Sequence, residues 1–235
     1  MTETEWLTNA DSNQFEDFLR GTVSYRKLRL FAVACFRPFS HLCTDVRSQN
    51  ALRTSEEYAD GMVELYALIS AHLYATDVLD NVPAPASDTY HYAVDAAYFA
   101  VQLARPSLLF RDGEVDIDPI DVFRLTDGIS YLSGHAKNNF GIDATFDKAV
   151  LQKGIAIEKE RQCRLLRDIF CNPFRPVAIE PEWSTSTVVS LAEGIYAEKA
   201  FDRLPILADA LQDAGCDNEN ILSHCRGEGP HVRGC

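Results

Sequence analysis

Residues 143–170 read DATFDKAVLQKGIAIEKERQCRLLRDIF, and CNPFRP follows at 171–176. The first stretch is the longest helix candidate in the chain. The second ends it, because Pro173 and Pro176 fix φ, lack an N–H and clash with a preceding helical turn. A helix of that length sets the frame in which the flanking sequence is read.

On its C-terminal side, residues 180–227 predict three helices. Thr185 or Thr187 caps the first. The second runs from about Asp202, with Pro205 in its first turn, and stops at Gly215. Asp217 caps the third, which stops at Gly227.

On the N-terminal side, NADSNQFEDFLRG (9–21) opens with Asp and Ser caps and closes on Gly21. SYRKLRLFAVACFRPF (24–39) puts Leu28, Phe31, Ala34 and Cys35 on one helical face, until Pro38 interrupts it. Residues 41–82 continue the helical signal, with Tyr58, Met62, Leu65, Ile69 and Leu73 stepping by three or four. PAPASD (83–88) is a linker or turn. DTYHYAVDAAYFAVQLARP (88–106) is an Ala-rich helix capped at Asp88 or Thr89. RDGEVDIDPIDVF (111–123) reads as a loop, although Val115 and Ile117 alternate as in a short strand, with an N-cap at Asp118 before Pro119.

The sum predicts an all-α fold, a multi-helix bundle of two packed lobes. Residues 1–142 form the N-terminal lobe. Residues 143–235 form the C-terminal lobe, containing the NPFRP turn. At 235 residues and 46% hydrophobic content, one compact domain has enough core to stand without staples.

The net charge of −13 argues against general nucleic-acid binding and against adsorption to anionic membranes. No stretch approaches 18 uninterrupted apolar residues, so no membrane span is expected. The acidic N-terminus lacks the apolar core of a signal peptide. Seven cysteines without such a leader imply reduced thiols and a cytoplasmic location. Charge is uneven: residues 20–53 hold seven Arg or Lys against one acid, and residues 54–147 hold sixteen acids against four bases. Either these segments pack side by side, or the basic helix carrying Arg26, Lys27 and Arg29 faces an acidic partner.

Phosphate-binding glycine motifs, the G-x-S-x-G elbow and H-E-x-x-H are all missing. Glu114, Asp116, Asp118 and Asp121 alternate like calcium ligands, but the glycine and glutamate that an EF-hand loop requires are not in place. Cys35, Cys43, Cys163 and Cys171 sit near apolar helical positions and read as small hydrophobes. Trp6 and Trp183 read as packing anchors.

The tail SHCRGEGPHVRGC (223–235) is richer. Cys216, Cys225, His231 and Cys235 make a possible zinc set of three thiolates and an imidazole, separated by eight, five and three residues. No C-x-x-C knuckle supports it. His224 and Cys225 point about 100° apart on a helix, and Ile221, Leu222 and Cys225 share the inward face. Core or capping roles, a metal site and a catalytic thiol all remain open.

The opening Glu5–Leu7, Phe18–Gly21 and Arg26–Cys35, with Leu165–Pro176, Trp183 and Phe201–Cys235, resembles an uncharacterised protein family of planctomycete bacteria. About half the chain carries the resemblance, at its two ends. The family implies no activity and no catalytic residues. Its members continue past the terminal cysteine with a tryptophan and an apolar stretch, so the resemblance implies a further core segment after Cys235. DRLPILADALQDAGC also resembles a helix of a short repeat from the same bacteria, which implies a helix-pair scaffold.

Three functions are therefore expected in order. The first is a non-enzymatic helical module for protein interaction or regulation, with a protein partner. The second is a structural zinc site in the C-terminal tail. The third is an enzyme with a pocket between helices.

Overall fold

The computed structural model describes residues 1–19, 23–80, 102, 109–111, 114–116, 122, 124–130 and 148–235. These residues are predominantly helical, as the periodicity predicts, and the fold is all-α. The chain divides into two compact units, Met1–Cys163 and Arg164–Cys235. The predicted lobe boundary at 142/143, the PAPASD linker, the Ala-rich helix at 88–106 apart from Gln102, which is helical, and the cap at Asp118 lie outside the described residues.

The first unit begins with α1 (Glu3–Thr8), closed by a reciprocal capping box in which Thr2 and Glu5 each bond the other's backbone N–H. A 3-10 turn (Ser12–Phe15), capped by Asp11, leads into α2 (Glu16–Leu19). Trp6 is fully buried and meets Phe15 edge-on at 4.9 Å between ring centroids, so it is the anchor its position implies.

Helix α3 (Tyr25–Phe36) starts at the Ser24 cap and buries every residue from Leu28 to Phe36. The predicted stripe is therefore one part of a segment buried all round and apolar except for Arg29, as in a helix inside a core. Pro38 sits at the start of the 3-10 turn that follows, Arg37–Leu42.

Among the described residues of 41–82, the helical signal resolves into two helices. Helix α4 (Val46–Ala59), capped by Asp45, and α5 (Leu65–Asp80) are separated by a turn at Gly61, whose φ of +69° suits glycine. The period on α5 is helical, but its phase differs from the prediction. Leu68 and Ala75 are buried, whereas Met62 and Leu73 are exposed.

Strands β1 (Leu109–Arg111) and β2 (Glu114–Asp116) form an antiparallel ladder, Phe110 opposite Val115. For Arg111 and Glu114–Asp116 this corrects the loop expected at 111–123, most of whose other residues lie outside the described ones. The alternation of Val115 with acidic neighbours was a true strand signal, satisfied by pairing with 109–111.

Helix α6 (Lys148–Phe170) begins in the first unit and ends in the second, and it is the long helix of the opening stretch. Within the first unit its Gln162 amide donates to Thr126 O (2.9 Å) and Ser130 Oγ (3.1 Å), while Ser12 Oγ donates to Gln162 Oε1 (2.8 Å). All four residues are fully buried. The network satisfies polar groups that would otherwise be costly inside a core.

In the second unit, α6 ends at Phe170, Cys171 follows with φ +56°, and Asn172–Arg175 turn the chain. Helices α7 (Ser186–Glu198), α8 (Leu204–Asp213) and α9 (Glu219–Arg226) follow. Thr185 caps α7, and Pro205 lies in the first turn of α8, both as expected. Asn218 caps α9 in place of the expected Asp217, its side chain accepting from the Asn220 and Ile221 amides. These helices enclose Val188, Ile195, Leu204, Ala208, Leu211, Cys216, Leu222 and Cys225, with Trp183 packed against them.

Among the described residues, no helix is long and apolar enough to cross a membrane.

Candidate metal centre

Helix α9 determines where the site lies. Leu222 and Cys225 point into the apolar cluster, so His224, about 100° from Cys225, lies on the flank. Gly227 ends the helix, and the chain turns at Gly229 with φ +77°. A Cβ at Gly229 would stand 2.5 Å from the His231 amide nitrogen and 2.6 Å from its ring. Only glycine allows this turn to seat His231 without displacement.

The turn brings His231 to Asp168, in the last turn of α6. Asp168 is 6% exposed, and both its oxygens are engaged. Oδ1 lies 2.8 Å from His231 Nδ1, and Oδ2 accepts the Val232 amide at 3.1 Å. On the other side of the ring, His231 Nε2 lies 3.0 Å from Gly227 O. A carbonyl oxygen only accepts, so Nε2 carries a hydrogen, and the Nδ1–Oδ1 contact shares a further proton.

His224 Nε2 lies 3.8 Å from Asp168 Oδ1, and the two imidazoles meet nearly at right angles, 4.9 Å between centroids. With Cys235 they complete a group. One donor atom each from Asp168, His224, His231 and Cys235 lies within 4.8 Å of all the others.

Burial shifts two members of the group toward their protonated forms. Burial pushes the Asp168 carboxyl above its ordinary value, opposed by the two histidines and its hydrogen bonds. The Cys235 thiol is pushed up to about 12, first by desolvation of its sulfur and then by the Asp168 charge. That thiol is a poor nucleophile near neutrality, which argues against the catalytic-thiol reading.

The donors suit a transition metal. Two imidazoles, a thiolate and a carboxylate match zinc, whereas calcium and magnesium prefer oxygen-only cages. Zinc bond lengths of about 2.0–2.3 Å imply tetrahedral edges of roughly 3.3–3.8 Å. A nitrogen–oxygen edge lies at the short end of that range, so the His224–Asp168 separation of 3.8 Å must close and the His231–Asp168 contact of 2.8 Å must open, each by roughly half an ångström. A metal would thus replace the shared proton. The outer contacts are of the kind that orient metal ligands: Nε2–H of His231 is held by a backbone carbonyl, and the second Asp168 oxygen accepts from a backbone amide.

Of the four residues expected from the sequence, the structure gathers His231 and Cys235 here. Cys216 and Cys225 are buried in the apolar cluster, as small hydrophobes. Asp168 and His224 stand where two thiolates were expected. Asp168 had left a signal: it is a charged residue three positions after Leu165, on a helix end whose Leu165, Leu166 and Ile169 are all buried.

The basic segment has internal partners. Arg26 pairs with Asp60 at 2.8 Å, Arg37 with Glu56 at 2.7 Å, and Arg47 with both Asp45 and Asp77. Arg29 is 5% exposed, against Ser55 and the Tyr58 ring. The basic and acidic stretches therefore pack side by side, at least through these pairs.

Compared with known proteins, no family model matches this chain, and neither a curated protein nor a solved structure matches it.

Proposed function

We propose that this chain is a non-enzymatic helical module whose C-terminal unit holds a structural zinc ion through Asp168, His224, His231 and Cys235. The observation that carries the reading is the division of labour on His231. Its Nε2–H is fixed on Gly227 O at 3.0 Å, which turns Nδ1 toward the other three donors. Four protein donors fill a tetrahedron and leave no open position for substrate, so the role is structural.

The test is the metal content of protein purified without chelator. About one zinc per chain is expected, falling severalfold in His224→Ala and Cys235→Ser. Less than about 0.2 zinc per chain, with no uptake of added zinc, overturns the reading. Cobalt substitution should add a thiolate-to-metal charge-transfer band that Cys235→Ser removes.

The module acts through protein contacts. Support comes from the segment after the Asn172–Arg175 turn, where Val177 and Ile179 lie exposed on non-helical backbone. An exposed apolar pair on such backbone is suited to recognition by a protein surface. Val177→Ser with Ile179→Ser should leave folding unchanged and abolish capture of any protein that the unaltered chain retains specifically. Equal capture by both would remove this role.

A further inference from the structure

We infer that residues 228–235 are a strap that zinc locks onto Asp168, with Gly229 as its positioning residue. The inference rests on the zinc reading above and adds a conformational consequence to it.

The donors come from three stretches: Asp168 from α6, His224 from α9, and His231 with Cys235 from the strap. The strap reaches Asp168 through His231 Nδ1 and the Val232 amide. It also sets the Arg233 guanidinium over the Tyr196 ring of α7, 5.2 Å from the centroid. Within the strap, the Cys235 amide donates to Val232 O at 3.2 Å, which curls the thiol back toward the group.

Half the donor set therefore arrives only when the strap is down. A zinc ion that uses all four donors binds the closed form and not the open one. By mass action it lowers the open fraction by the factor 1 + [Zn]/Kd, about 100-fold when unbound zinc is one hundred times Kd. Lifting the strap uncovers Asp168 and one face of Tyr196. Zinc occupancy is thereby coupled to what this surface presents.

Gly229 sets how easily the strap seats. Its φ of +77° and the 2.5 Å approach to the His231 nitrogen leave no room for a side chain. Any residue but glycine must displace His231, although Gly229 itself supplies no donor atom to the group.

The Val232 amide is the reporter, because its hydrogen bond goes to Asp168 Oδ2. Hydrogen–deuterium exchange at this amide is measured on the full chain with and without zinc chloride. Zinc affinity is measured in parallel by competition with a chromogenic chelator. Exchange about 100-fold slower is expected at unbound zinc of one hundred times Kd. Gly229→Ala should weaken zinc by tenfold or more and lose most of the protection, with its far-UV circular dichroism unchanged. One zinc bound per chain with unaltered Val232 exchange overturns the strap and leaves the zinc site standing. No zinc bound overturns both. Wild-type affinity and protection in Gly229→Ala overturn the role of Gly229.

Discussion

His231 Nδ1 sits 2.8 Å from Asp168 Oδ1 across 63 residues of sequence, and this contact joins the tail to the end of the long helix. The carboxylate is buried and accepts the Val232 amide as well, so its replacement leaves more than one group without its partner. Asp168→Ala, which removes both oxygens, should destabilise the C-terminal unit by about 2 kcal/mol, the cost of losing buried hydrogen bonds to a charged group. Urea denaturation of the two forms checks it. A difference under about 0.5 kcal/mol would mean that the strap contributes little to folding.

Zinc should raise stability in proportion to its binding. At unbound zinc of one hundred times Kd the gain is about 2.7 kcal/mol, and chelator should reverse it. Thermal melts with zinc, with chelator and in Cys235→Ser test this. An identical shift in Cys235→Ser would show that the thiol takes no part.

Alkylation at neutral pH should separate the thiols. Cys171 is exposed and should react first. Cys235 is also exposed overall, but its thiol is pushed up to about 12 and should lag well behind. Cys43, raised to about 11 by burial, and Cys35, raised well above its ordinary value by burial, should react only on unfolding. Mass spectrometry of the modified peptides gives the order, and a Cys235 as fast as Cys171 would contradict it.

Acid should weaken the start of α4. Asp45 is held below its ordinary value of 3.8 by hydrogen bonds from the Arg47 side chain and amide. A carboxyl depressed in the folded state adds stability above that ordinary value, and the addition is lost as pH falls through the folded value. Asp45→Ala should therefore cost about 1 kcal/mol at pH 7, as for other N-cap losses, and progressively less below pH of about 4. Denaturation curves at both pH values check this, and an equal cost at each would assign the effect to packing.

The buried network should show coupling. Ser12 Oγ donates to Gln162 Oε1 at 2.8 Å between fully buried side chains. A double-mutant cycle of Ser12→Ala and Gln162→Leu should give a coupling of about 1 kcal/mol. Additive effects would remove the network's place in the core.

Much of the fold was legible because local chemistry fixes it. Pro173 and Pro176 predict where α6 must end, and the helix stops at Phe170. Thr185 and Pro205 mark their helix starts because an orphan amide and a fixed φ are local matters. The face that α5 buries was not legible, because neighbours in space select Leu68 and Ala75 over the equally apolar Leu73.

The site divides in the same way. His231 and Cys235 stood out as donor types in a glycine-rich tail. Cys216 and Cys225 looked equivalent because cysteine serves equally as ligand and as small hydrophobe. Asp168 lies 63 residues before His231, and nothing in the chain's linear order signals that a helix end would meet the tail.

The passage of α6 through the unit boundary limits how the molecule can be cut. A fragment starting at Arg164 would put Asp168 within the first turn or so of a raw helix end, where amides have lost their carbonyl partners and the coil frays. Excision of the C-terminal unit for separate study would thus spoil the carboxylate that anchors its own tail. A cut at Lys148, which keeps the whole of α6, would give Asp168 five turns of continuous helix ahead of it.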